Sequence, residues 1–149
     1  MARGLGVRVV VNDRADIALA VGADGVHLGQ DDLDPSAARR LLGDKFIIGY
    51  STHSVAQAVE AARLPVDYVA VGPIFDTSSK ERPDPVVGLE GLRGVRAAVG
   101  PVPLVAIGGI TRETARAVLA AGADSLALIS ALVGGDPAGI ARRTREFLS

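Results

Sequence analysis

Hydroxyl and ammonium groups crowd one short stretch of the chain, where Thr77, Ser78, Ser79 and Lys80 follow one another directly. Three side-chain donors, one cation and the backbone N–H groups between them suit an anionic oxygen cluster such as phosphate, although the same residues also make plain surface loops. Two carboxylates upstream, Asp13 and Asp32, each follow a short apolar run. Hard oxygen ligands beside a phosphate site suit Mg²⁺, which keeps several waters and takes its remaining ligands from substrate phosphates. Helix capping is the competing reading of Asp13; Asp31 reads as a solvated neighbour of Asp32, and Asp34 before Pro35 as an N-cap. Gly108-Gly109, between an apolar run and Thr111, would let a phosphate approach the backbone and a helix N-terminus with no Cβ in the way; a tight turn is the alternative. Ser130 closes the last apolar run. His27 lies inside an apolar run and reads as a packed or supporting histidine, whereas His53, just past another, stays open between support and chemistry. No Ser/His/Asp arrangement and no His-rich metal spacing is legible.

These residues need elements to hold them. Apolar runs at residues 7–11, 25–28, 46–48, 68–71, 104–107 and 125–129 alternate with helical segments, the first an Ala/Leu-rich one ending at Val21 and the others at about 35–42, 54–63, 88–99, 112–121 and 137–148. Ser54 with Gln57 reads as a capping box, Thr111 as a cap, and Asp136 precedes Pro137 at a first helical position. Two near-repeats, Gly22-Ala23-Asp24-Gly25 and Gly122-Ala123-Asp124-Ser125, each place a glycine where a helix stops. About six βα units with continuous apolar strands imply a parallel sheet covered by helices. The length of 149 residues favours an open doubly wound sheet, since a (β/α) barrel usually spans about 200 residues or more. The placement of polar residues favours the barrel, because every strand end is loaded: Asn12-Asp13, Gln30 to Asp32, Ser51 to His53, the Thr77 loop, Gly108-Gly109 and Ser130. Neighbouring strands lie about 4.8 Å apart, so Asp13 and Asp32, closing consecutive strands, can converge. No Gly-x-Gly-x-x-Gly follows the first strand, which removes the main support for a dinucleotide-binding sheet.

Composition excludes several classes. The chain is 48% hydrophobic, enough for a real core in a single domain over residues 1–149. A formal net charge of −1 and the lack of any Lys/Arg run argue against nucleic acid or an anionic membrane as partner. There is no signal-peptide pattern and no apolar stretch near 18 residues, and with no cysteine there is neither a disulfide framework nor a thiolate nucleophile. A cytoplasmic protein is the expectation.

Taken together, Val11-Asn12-Asp13, Gly25 to Gln30 with Asp32, Gly49 to His53, Val71 to Phe75 with Thr77, Ser79 and Lys80, Gly88-Leu89, Ala106 to Ile110, and Ile129-Ser130 resemble the thiamine phosphate synthase family. That family is a TIM barrel joining a pyrimidine diphosphate to a thiazole phosphate with Mg²⁺, releasing pyrophosphate. The resemblance implies that Asp13 and Asp32 hold Mg²⁺. It implies that Asn12, Ser51 and Lys80 contact the diphosphate or the reacting ring, with Lys80 and Ser51 in catalytic roles. Thr77, Ser79, Gly108, Gly109, Ile129 and Ser130 would form the thiazole phosphate side. Ser78-Ser79 stands where the family commonly has a proline and a threonine, which keeps the hydroxyl at Ser79.

The family barrel also has two βα units before the Asn-Asp strand, the second with a Gln-x-Arg-x-Lys segment that grips the diphosphate. This sequence has neither, so an incomplete TIM-type barrel with about six of eight units is expected, with self-association through its open edges. Two alternatives resemble parts of the pattern: a thiazole tautomerase-like relative, which tends to lose the paired carboxylates, and a non-catalytic thiazole phosphate or thiamine phosphate binding module.

Overall fold

The computed structural model describes residues 2–77 and 84–148. After a 3-10 turn at Ala2–Leu5, six strands alternate with six helices: β1 (Val10–Asn12), α1 (Ala15–Ala20), β2 (Gly25–Leu28), α2 (Pro35–Leu42), β3 (Ile47–Thr52), α3 (Val55–Ala61), β4 (Tyr68–Val71), α4 (Gly88–Val99), β5 (Leu104–Ile107), α5 (Arg112–Ala120), β6 (Ser125–Ala127) and α6 (Pro137–Leu148). All pairings are parallel, and the strands lie in chain order from β1 to β6. A doubly wound sheet would reverse direction from an inner strand; an unbroken chain order is that of a barrel wall. The protein is therefore an incomplete (β/α) barrel. Among the described residues no helix is long and apolar enough to cross a membrane.

Side chains alternate across the sheet. Val26, Leu28, Ile48, Val69, Val71, Leu104 and Ala106 point to the helix layer and are almost wholly buried. The helices meet them with apolar positions at helical spacing, Pro35, Ala38 and Leu42 on α2 and Leu92, Val95 and Val99 on α4. Two core clusters result, one under α1 and α2 and one under α3 to α5, with Tyr50 and Val66 packed against both. The opposite, inner face carries His27, Gly49, Ser51, Tyr68, Ala70 and Ile107, the alternate residues of the same strands.

Several element boundaries differ from expectation. The first strand begins at Val10, and Val9 just before it is paired with Asp24 (Val9 N–H to Asp24 Oδ2, 2.7 Å; Asp24 N–H to Val9 O, 2.8 Å). The third strand runs on to Thr52, since Ser51 and Thr52 stay in register with Ala70 and Val71, and the buried Thr52 hydroxyl donates to Ala70 O at 2.9 Å. The last strand stops at Ala127, where the N–H groups of Leu132 and Val133 turn back to Ile129 O. Asp34, Ser54 and Asp136 cap their helices as expected. The Ser54 box is only half closed: Gln57 Oε1 accepts from the His53 N–H and not from the Ser54 N–H.

At the amino ends of the strands a device recurs. Asp24, Asp67 and Asp124 each donate a backbone N–H to the start of the preceding strand region (Val9 O, Ile48 O and Leu104 O) and accept the same residue's N–H on the carboxylate. Arg39 of α2 and Arg96 of α4 reach over to Asp67 (2.7 Å) and Asp124 (2.5 Å), in both cases across 28 residues of sequence. Each guanidinium also donates to carbonyls just past its own helix, Gly43 and Phe46 for Arg39, Gly100 and Val102 for Arg96. This end of the barrel is built for stability, which leaves the other end for chemistry.

Candidate active site

At the carboxyl ends of the strands lies a cavity of about 570 Å³. Every strand contributes to its lining. Asn12 and Asp13 come from the end of β1, Gly29 to Asp31 from β2, Ser51 and His53 from β3, and Gly72, Pro73 and Thr77 from β4. Gly108 and Gly109 follow β5, and Ile129 and Ser130 follow β6. The backbone turns so abruptly after β1 that Asp13 takes a left-handed conformation (φ 65°), and Asn12 Nδ2 donates to its Oδ1 at 2.7 Å. Asparagine and aspartate tolerate such a turn better than other non-glycine residues.

Asp32 is placed differently from its neighbour. Its Oδ2 accepts the Gly29 N–H at 2.6 Å, closing a turn behind the cavity wall, while the exposed Asp31 lines the cavity itself. A Cβ at position 29 would sit 3.1 Å from that carboxylate oxygen, a tight contact that a larger residue would press on. Among the described residues no three His, Cys, Asp or Glu side chains gather as a metal-ligand group. A pair of carboxylates is a hard, oxygen-only donor set, fitted to an ion that draws most ligands from water and a bound phosphate and not to one that needs a full protein cage.

The glycine pair has a packing reason as well as a binding one. Gly108 (φ 95°) and Gly109 (φ 65°) lie against the loop after β4; a Cβ on Gly108 would be 2.6 Å from Pro73 Cβ, and one on Gly109 would be 2.5 Å from Asp76 O. The two loops are joined by hydrogen bonds from Ile74 N–H to Ile107 O (2.9 Å) and from Phe75 N–H to Gly108 O (3.1 Å). The expected phosphate approach and the expected tight turn thus coincide at one place, and Thr77 follows directly on the joined segment. Ser79 and Lys80 lie outside the described residues.

His27 and His53 have distinct settings. His53 Nδ1 donates to Gly72 O at 2.6 Å and its Nε2 lies 3.5 Å from Asp84 Oδ2, which ties the end of β3 to both sides of the loop after β4. His27 is wedged between two hydroxyls, with Nδ1 2.9 Å from Tyr68 Oη and Nε2 2.8 Å from Ser51 Oγ. Burial lowers its pKa below the ordinary 6.5, opposed by the nearby Asp32 carboxylate. Burial likewise raises the Tyr68 phenol above its ordinary 10.0. Of the residues expected to form the site, those described all line the cavity except Asp32, which supports its wall. Gln30, one of the residues expected at the end of the second strand, donates its Nε2 to Ser51 O at 2.6 Å, whereas Tyr68 and Asp84 were not expected at the site.

Comparison with known proteins agrees with this arrangement. A family model described as thiamine monophosphate synthase matches residues 1–132. A thiamine-phosphate synthase of Koribacter versatilis is 54% identical over 142 residues, covering 95% of this chain and 65% of its own length. That of Methanoregula boonei is 53% identical over 150 residues, covering 100% of this chain and 69% of its own. Among solved structures, a thiamine phosphate pyrophosphorylase from Pyrococcus furiosus superposes with a TM-score of 0.82 at 37% identity, covering 99% of this chain and 72% of that one. The chain thus spans about two thirds of the length of the curated relatives it matches. With a model that extends along most of its residues and relatives more than half identical to it, the chain belongs to the thiamine monophosphate synthase family.

Proposed function

We propose that this chain supplies most of a transferase that joins hydroxymethylpyrimidine diphosphate to thiazole phosphate. The carbon–oxygen bond to the diphosphate breaks, pyrophosphate leaves with the bond's electrons, and the thiazole nitrogen donates its lone pair to form the new carbon–nitrogen bond of thiamine phosphate. The observation that carries this reading is the cavity to which all six strand ends contribute, lined by Asp13 and Asp31 after β1 and β2 and by the glycine pair and Ser130 after β5 and β6. No protein nucleophile is required by such a reaction, and catalysis rests on positioning and on charge placed to meet the leaving group.

Asp13 and Asp32 would hold Mg²⁺, which when bound supplies charge neutralisation at the diphosphate. Asn12 and Ser51 offer hydrogen bonds toward the diphosphate or the pyrimidine ring, and Lys80 a cation for the developing charge. Thr77, Ser79, Gly108, Gly109, Ile129 and Ser130 take the thiazole phosphate. The cytoplasm as its compartment belongs to the same proposal. So does self-association: β1 and β6 each pair on one side only within the described residues, and Val7, Val10, Ile129 and Val133 are 56%, 37%, 55% and 64% exposed near those edges.

Calorimetric titration with each substrate, with and without Mg²⁺, tests the reading. A transferase site binds the pyrimidine diphosphate only with Mg²⁺ and the thiazole phosphate without it. Binding of the monophosphate alone would instead identify a binding module, and no Mg²⁺ dependence would remove the carboxylates from the site.

A further inference from the structure

Three side chains from three adjacent strands meet on the inner face of the sheet, and one of them lies outside the cavity lining. In the strand register His27 of β2 lies beside Gly49 of β3, and Gly49 beside Tyr68 of β4. The Tyr68 ring crosses over Gly49 to reach His27; a Cβ on Gly49 would lie 2.0 Å from Tyr68 Cζ. The two rings then stack, with centroids 5.6 Å apart and planes 18° from parallel. A continuous chain of hydrogen bonds results, Tyr68 Oη to His27 Nδ1 at 2.9 Å and His27 Nε2 to Ser51 Oγ at 2.8 Å, ending at the cavity that Ser51 lines.

The direction of this chain follows from its donors. A neutral imidazole has one N–H and one lone pair, and a phenol has one proton to give. Among the described residues His27 is the only partner of the Tyr68 hydroxyl. If Nδ1 carried the proton, no protein group among the described residues would accept the proton of the phenol. With the phenol donating to Nδ1, the imidazole proton is on Nε2 and goes to Ser51 Oγ. The serine then has an occupied lone pair, and its own proton is directed to the cavity.

We propose that Tyr68 is a positioning residue of this site: by donating to His27 Nδ1 it holds the imidazole as the Nε2–H tautomer and makes Ser51 a committed hydrogen-bond donor to the ligand. The ligand group that takes the Ser51 proton is therefore an acceptor, a heteroaromatic nitrogen or a phosphate oxygen. Only the identity of that ligand rests on the transferase reading.

Two measurements on the full chain test this. Nitrogen-15 NMR of the His27 ring, without ligand, reads the tautomer. The expected result is a protonated Nε2 and a hydrogen-bonded Nδ1 whose resonance moves toward that of an unbonded nitrogen in Tyr68→Phe; a protonated Nδ1, or an Nδ1 unmoved by the substitution, overturns the proposal. The second is a double-mutant cycle on the Mg²⁺-dependent binding of hydroxymethylpyrimidine diphosphate, with inorganic pyrophosphate as comparison. Tyr68→Phe and Ser51→Ala should each weaken binding by about fivefold to tenfold, and the double variant should be no weaker than Ser51→Ala. A loss shared by pyrophosphate assigns the acceptor to phosphate, and a loss confined to the pyrimidine ligand assigns it to the ring; independent, multiplicative losses overturn the proposal. If the parent chain binds neither ligand, the transferase reading fails while the NMR result still decides the tautomer.

Discussion

Replacing Gly109 by alanine should break contacts between two loops that replacing Gly100 leaves intact, although both glycines have a positive φ. Their φ values are 65° and 62°, but Gly100 has ψ −128°, outside the left-handed helical well, so each alanine carries a backbone cost of its own and the comparison rests on what the added Cβ meets. At Gly100, the C-cap of α4, nothing lies within 4 Å of the added Cβ, and the cost ends there. At Gly109 the Cβ would meet Asp76 O at 2.5 Å, Phe75 Cβ at 2.7 Å and Phe75 O at 2.7 Å. Backbone cannot swing aside like a side chain, so the loop after β4 must retreat. That movement endangers the bonds from Ile74 N–H to Ile107 O and from Phe75 N–H to Gly108 O. At about 1 kcal/mol net for each bond, the lost bonds add about 2 kcal/mol to the backbone cost of Gly109→Ala. That is about a thirtyfold change in the folded-to-unfolded ratio, from 1.36 kcal/mol per factor of ten. Urea denaturation reads the total loss for each variant. The folded fraction of Gly109→Ala should also lose affinity for thiazole phosphate, because Thr77 moves with the displaced loop, whereas Gly100→Ala should bind normally. Normal thiazole phosphate binding by the folded fraction of Gly109→Ala would refute the joined-loop reasoning.

Three further outcomes are expected. Asp32→Asn should weaken Mg²⁺-dependent diphosphate binding by tenfold or more while sparing thiazole phosphate binding and the fold, since the amide oxygen can still accept the Gly29 N–H; calorimetry showing equal losses for both ligands would count against the division of the site. Burial holds the His27 pKa below 6.5, so the unfolded chain takes up a proton that the folded chain resists. Stability is therefore full above about pH 6.5 and falls as the pH drops below it toward the lower folded value, and His27→Gln should flatten that part of the stability curve; an unchanged slope would show the titration to lie elsewhere. Size-exclusion chromatography with light scattering should find the purified chain as an assembly and not as a monomer, because within the described residues β1 and β6 each pair on one side only, beside exposed valines; a compact monomer would contradict the open edges.

Sequence alone determined whatever depends on neighbours along the chain. The alternation of apolar runs and helical segments, the caps at Asp34, Ser54 and Asp136, and the glycines that end helices are local matters of backbone geometry and hydrogen bonding, and they were legible. The loading of every strand end was legible too, and it correctly favoured a barrel over the open sheet that length suggested. Tertiary structure decided what depends on register and on approach between distant segments. Whether Asp31 or Asp32 faces the cavity turns on one hydrogen bond to Gly29. Thr52 joins its strand because Val71 is there to pair with it. Gly49 is a glycine because Tyr68, on the next strand, crosses over it to His27, 41 residues earlier in the chain. The arginine clasps from Arg39 to Asp67 and from Arg96 to Asp124 repeat at one spacing, yet only folding brings each pair together. Local propensities act over a few residues, whereas a parallel sheet joins residues a whole βα unit apart, so the inner face of the barrel is written in the register and not in any single stretch of sequence.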